Sequence, residues 1–76
     1  MKQFNIEEYR KNPSRKVVTR EACNVKIKYT SMWTTDHPIV ALVDIPFSAE
    51  QRMIFTEEGK FISNDKPSRF DIFFKE

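Results

Sequence analysis

Apolar and polar residues alternate along most of this chain, with one interruption. Residues 38–45 (Pro-Ile-Val-Ala-Leu-Val-Asp-Ile) hold the longest apolar run and are rich in β-branched side chains. A run of this length and make-up predicts a strand covered on both faces. To its N-terminal side, segments 16–19 and 24–29 predict paired strands. In the second, Val25, Ile27 and Tyr29 share one face and Lys26 and Lys28 the other, the period of a sheet with one dry side. The link Arg20-Glu21-Ala22-Cys23 lacks the Asn-Gly or Asp-Gly dipeptide of a tight hairpin, which predicts a longer or strained turn.

To the C-terminal side, segment 51–56 predicts a strand with Met53 and Phe55 on one face. The turn Glu57-Glu58-Gly59 follows, using the chain's only glycine, for which positive φ is cheap. A returning strand is expected over 60–63 and a closing strand over 69–74, with Phe70, Ile72 and Phe74 on one face and Phe73 on the other. Ahead of all these, residues 5–13 predict a short helix. Asn5 is its N-cap, Glu8 completes a capping-box spacing, and Asn12-Pro13 ends it. Two turns do not persist alone in water, so Phe4, Ile6 and Tyr9 must lean on the sheet. Residues 30–37 read as a polar loop, apart from Met32 and Trp33. The expected fold is α+β and one domain, 1–76: a short N-terminal helix on a curled, mostly antiparallel, barrel-like sheet of five or six strands. Successive hairpins set most of the strand order.

Composition narrows the class. A chain of 76 residues is a small domain and buries only about 60% of its unfolded surface. Seven phenylalanines supply the bulk of its core. One cysteine, Cys23, excludes an internal disulfide and a cysteine-held zinc, and fits a reducing compartment. The N-terminal residues lack the apolar stretch of a signal peptide, and no run approaches the roughly 20 residues of a membrane helix. The expectation is a cytoplasmic protein with no membrane partner.

Net charge is only +2, but residues 1–34 carry +5 and residues 35–76 carry −3. That asymmetry reads either as a basic binding face or as two halves that neutralise each other on folding. Catalytic chemistry has little to build on. His37 is the only histidine, and a Cys23–His37 pair is the one nucleophilic arrangement the sequence permits. A single glycine excludes a glycine-rich phosphate loop. No metal or cofactor is expected, and an enzyme using Cys23 is the remote alternative.

Binding has better material. Lys26 and Lys28, with Arg15, Lys16 and Arg20 nearby and Tyr29 and Trp33 as aromatic surfaces, resemble the basic and stacking groups with which small β-barrels hold single strands. Against this, Tyr29 falls on the inward face, and lysines on exposed strands also guard against edge-to-edge aggregation. Met32 and Trp33 stand in a polar loop where a core side chain is not expected, a setting for anchoring a partner protein or a second copy of the chain. The structural alternative is a lid with Trp33 closing the core.

The chain also resembles a loose family of short uncharacterised proteins from Bacteroides-type gut bacteria and tailed phages. The resemblance rests on Val18-Thr19-Arg20 with Val25-Lys26-Ile27, on residues 38–43, on Phe55-Thr56-Glu57-Glu58-Gly59-Lys60, and on Asp71-Ile72-Phe73. Such sequences usually carry Asp-Gly in the first turn, where this one has Glu21-Ala22, and are shorter ahead of the Pro-Ile-Val segment. The resemblance implies the fold and no activity. The leading expectation is a non-enzymatic accessory or protein-interaction module, a homodimer among its forms. The alternative is a small nucleic-acid-binding domain. The residues expected to bind are Met32, Trp33, Lys26 and Lys28.

Overall fold

The structure, a computed structural model, describes residues 1–30, 36–63 and 65–75. The elements are β1 (Lys2–Gln3), α1 (Ile6–Lys11), β2 (Val17–Thr19), β3 (Asn24–Tyr29), β4 (Ile39–Val43), β5 (Gln51–Phe55) and β6 (Ile72–Phe74). The strands form one antiparallel sheet in the order β1-β6-β2-β3-β4-β5. From β2 to β5 the chain is a meander, as successive hairpins predict. The last strand then enters between β1 and β2, against partners far away in sequence.

One face of the sheet, the inner face, carries the core: Phe4, Ile6, Val17, Ile39, Ala41, Val43, Phe55, Ile72 and Phe74. The expected two-sided burial of β4 holds for Val40 as well, and Leu42 is half-buried. The helix forms as its capping residue dictates. Asn5 Oδ1 accepts from the N–H groups of Glu7 (2.9 Å) and Glu8 (3.2 Å). The Glu8 carboxylate is engaged by Lys2 (3.0 Å) and Arg15 (3.1 Å), and its pKa is lowered chiefly by the hydrogen bond from Lys2. Ile6 is buried and Tyr9 packs against the core, so this short helix leans on the sheet as its length requires.

The sheet is open, with β1 and β5 as its edges, and is not a closed barrel. Hydrogen bonds still reach from the turn after β5 to the opposite side of the fold. Glu57 C=O accepts from Ile6 N–H (3.0 Å), and Gly59 C=O accepts from Ile72 N–H (2.8 Å). Gly59 has φ +81°, and a Cβ built there would lie 2.8 Å from both Ile72 Cγ1 and Phe4 Cβ. Conformation and space both demand glycine at this crossing.

Two expectations need correction, and one strand was not expected. No strand forms over 60–63: Thr56 N–H donates to Lys60 C=O, and Phe61 N–H is taken by the Asp71 carboxylate, so no ladder continues. Only an isolated bridge, Ser63 to Lys66, occurs there. The closing strand is shortened to Ile72–Phe74, because Asp71 N–H turns back to Ser68 C=O (3.2 Å). The two-residue strand β1 has no sequence counterpart, and its pairing with β6 makes it visible (Lys2 with Phe74, Gln3 with Phe73).

Asp71 organises this corner. Its side chain is buried, and it accepts from Phe61 N–H (2.9 Å), Ser68 N–H (3.0 Å) and Arg20 Nη2 (3.0 Å), with Lys60 Nζ at 3.8 Å. Burial acts to raise its pKa, but the two backbone donors and the two cations outweigh burial and hold the carboxyl below its usual range.

Candidate functional site

Strand alternation sends Lys26 and Lys28 to the outer face of the sheet, since Val25 and Ile27 pack against the core. Both lysines are exposed. Tyr29 does not follow Val25 and Ile27 inward. The β3–β4 ladder pairs Ile27 with Ala41 but Tyr29 with Val40, a shift of one residue. Without the shift Tyr29 would stand opposite Ile39, on the core side. A bulge that adds a residue exchanges the faces of everything beyond it. Tyr29 is therefore on the outer face and 64% exposed, which overturns its expected place in the core.

Register brings other residues to this face that lie far apart in sequence. Lys26 is opposite Leu42, and Leu42 is opposite Arg52. Continuing the β2–β3 register by one residue from Val17–Val25 sets Lys16 opposite Lys26. Beyond β2 and β6 the ladder likewise runs on, because Lys75 N–H donates to Lys16 C=O at 2.9 Å. The outcome is a row across five strands: Lys75, Lys16, Lys26, Leu42 and Arg52, with Lys28 beside it at the bulge. Strand spacing makes this row about 19 Å long.

These cations share an electrostatic property. Among the described residues, Lys2, Arg10, Arg15, Arg20, Lys60 and Arg69 each form an ion pair with a carboxylate. Seven form none with the described residues and are exposed: Lys16, Lys26, Lys28, Arg52 and Lys75 on this face, and Lys11 in α1 and Lys66 in the loop before β6 away from it. Neutralisation between the two halves of the chain does occur, as in the Arg20–Asp71 pair. It leaves the lysines of β3 and their neighbours unmatched. Like charges directly opposite each other weaken a sheet, so the row is a local cost that the fold carries.

The two flanks of the row differ. On one side Asn24 C=O accepts from Asp44 N–H (2.9 Å), and continuing the β4–β5 register sets Asp44 beside Glu50, both exposed. On the other side lie Tyr29, Val40 and Ile54, of which Ile54 is 42% exposed. Cations are thus bounded on one flank by acids at its β4–β5 end and by Val18 and Phe73 at its β2–β6 end, and on the other flank by an aromatic and apolar strip. This arrangement has the charge and length to receive an extended anion.

Met32 and Trp33, the other two residues expected to bind, lie outside the described residues. The Cys23–His37 pair does not assemble. Cys23 adjoins the Asn24–Asp44 end of the sheet, and His37, whose Nε2 is 3.0 Å from Ile62 C=O, precedes the other end of β4. Seven residues of extended chain separate those ends, about 20 Å.

A second feature was not foreseen. Ser48 N–H donates to Ile45 C=O (3.1 Å), closing a turn with Pro46 and Phe47 at its centre. Phe47 has φ +62° and is fully exposed. That turn position favours glycine or asparagine, so an aromatic there is both strained and unshielded. Beside it is a cavity of about 340 Å³ lined by Cys23, Ile45, Pro46 and Phe70, with the exposed Glu21–Arg69 ion pair (2.8 Å) also on its wall.

No protein-family model matches the chain, and no curated protein or solved structure matches it either. Among the described residues no helix is long and apolar enough to cross a membrane. The functional reading therefore rests on the surface itself.

Proposed function

We propose that this protein is a non-enzymatic binding module, barrel-like in its curl, that works through the outer face of its sheet. The observation that supports the reading is the row of exposed cations without carboxylate partners among the described residues, Lys75, Lys16, Lys26 and Arg52, joined by Lys28. A solvated structural face has no reason to concentrate one sign of charge across adjacent strands, where it is destabilising. A face that receives an anionic partner does. The lone cysteine fits action in the cytoplasm, and the resemblance to short proteins of Bacteroides-type bacteria and tailed phages is compatible with an accessory role.

Retention on an immobilised sulfated polysaccharide at low salt tests this reading. The unaltered protein is expected to be retained. A Lys16→Glu/Lys26→Glu variant is expected to elute early, while Lys11→Glu/Lys66→Glu, with the same net charge and both changes away from the row, stays bound. Equal behaviour of the two variants would contradict the reading.

A second reading, protein contact through the Phe47 turn, is favoured by that residue's strained and fully exposed placement. A second copy of the chain is the partner most easily tested. Sedimentation of Phe47→Gly against the unaltered protein measures it: loss of a dimer supports the contact, and two equal monomers remove self-association from consideration.

A further inference from the structure

The ligand of the outer face can be specified further, resting on the reading that this face is the binding surface. We propose that it holds single-stranded nucleic acid, with phosphates along the row Lys75, Lys16, Lys26 and Arg52 and bases turned toward Tyr29 and Ile54.

Charge sets the first condition. Four cations among the five positions of one cross-strand row, interrupted by Leu42 and with Lys28 adjacent, form a linear site and not a point site. A linear polyanion satisfies it, whereas a small anion would use one or two of these groups. The length of the row, about 19 Å, matches the lower end of the sites on small β-folds, about four nucleotides.

The asymmetry of the flanks sets the second condition. Asp44 and Glu50 repel an anion from one side of the row. Tyr29 and Ile54, exposed on the other side, offer a ring face and an apolar surface to a planar base. An acidic peptide would meet the cations but has no use for the aromatic strip. A duplex hides its bases, and the described part of this face is a sheet with no helix to enter a groove. A single strand alone presents a charged edge and stackable bases side by side.

The bulge in β3 gains a role on this reading. Inserting one residue between Ile27 and Tyr29 brings the phenol ring to the outer face, in the row next to Lys26 and Leu42. In regular pairing the ring would be core, and the strands of this face would keep only the half-buried Phe73 as an aromatic among the described residues. Bulges characteristically re-aim a side chain at a functional surface.

The test uses fluorescence anisotropy of a labelled oligodeoxythymidine of about 12 nucleotides. Raising salt from about 50 to about 200 mM is expected to lower affinity about 50-fold, the dependence for four phosphate contacts on a single strand. Lys16→Glu/Lys26→Glu is expected to abolish binding, with Lys11→Glu/Lys66→Glu as the folded control of equal charge. Tyr29→Ala should weaken binding about tenfold with the salt slope unchanged, since stacking releases no counterions. A duplex of equal length bound as tightly as the single strand, or an unaltered affinity in Tyr29→Ala, overturns the proposal. Binding of polyglutamate or of a sulfated polysaccharide, but not of the oligonucleotide, overturns it and leaves the outer face as the binding surface. No binding of any of these polyanions overturns both.

Discussion

The carboxylate of Asp71 and the guanidinium of Arg20 meet at 3.0 Å across a sequence separation of 51 residues. Asp71 is wholly buried, and two backbone N–H groups complete its coordination. Removing it strands those donors and a cation at the corner where β2, β6 and the segment after β5 converge. Asp71→Ala is expected to cost about 3 kcal/mol, a large share of the 5–15 kcal/mol that stabilises a typical domain. Urea denaturation measures this.

The same carboxylate makes stability depend on acid. Its pKa is lower folded than unfolded, so its contribution is complete above about pH 4 and fades as pH falls through the folded value. Unfolding free energy measured between about pH 5 and pH 2 is expected to fall more steeply for the unaltered protein than for Asp71→Asn. Parallel profiles would show that the group carries no such linkage.

Gly59→Ala combines a φ of +81° with contacts of 2.8 Å to Ile72 and Phe4 and 2.9 Å to the Ile72 carbonyl oxygen. None of these atoms is the free end of a flexible side chain. A loss of about 3 kcal/mol is expected, from left-handed strain and overpacking together. A thermal melt within about 2 °C of the unaltered protein would refute it.

Ala22 presents the opposite case. Its φ is +66° in the turn between β2 and β3, the strained geometry expected where Glu21-Ala22 replaces the usual Asp-Gly. Ala22→Gly is expected to stabilise the protein by about 1 kcal/mol, raising Tm by about 4–8 °C. Differential scanning calorimetry reads the shift directly.

The cation row predicts a separation of stability from binding. Lys26→Glu places an acid between Lys16 and Leu42 and relieves repulsion on the outer face. Its Tm at low salt should rise or hold, while retention on polyanions falls. A variant that loses both together would mean Lys26 supports the fold.

Much of the fold is legible in the residues. Asn5 marks the start of α1, Gly59 marks its turn, and the alternation of Val25, Lys26, Ile27 and Lys28 gives the faces of β3. Tyr29 is misplaced by that same alternation, because a bulge leaves no mark in a period-two pattern. Asp71 sits between Phe70 and Ile72 and reads as an outward polar residue of a strand. The turn that buries it depends on Ser68 and Phe61, which sequence spacing does not associate with it. The site divides in the same way. Lys16, Lys26 and Lys28 are visible as neighbours in the chain, whereas Arg52 and Lys75 join them only through strand register.

The place of β6 between β1 and β2 also separates local strand pairings from distant ones. The meander β2–β5 closes through short loops and can form first. The segment from Ile72 to Phe74 must then find Val17–Thr19 across more than fifty residues of chain, and Lys2–Gln3 has no partner until it does. Lys75, hydrogen-bonded through its backbone to Lys16, takes its place with that last strand. The basic row is therefore complete only in the fully folded molecule, so a partly folded chain cannot present the whole surface.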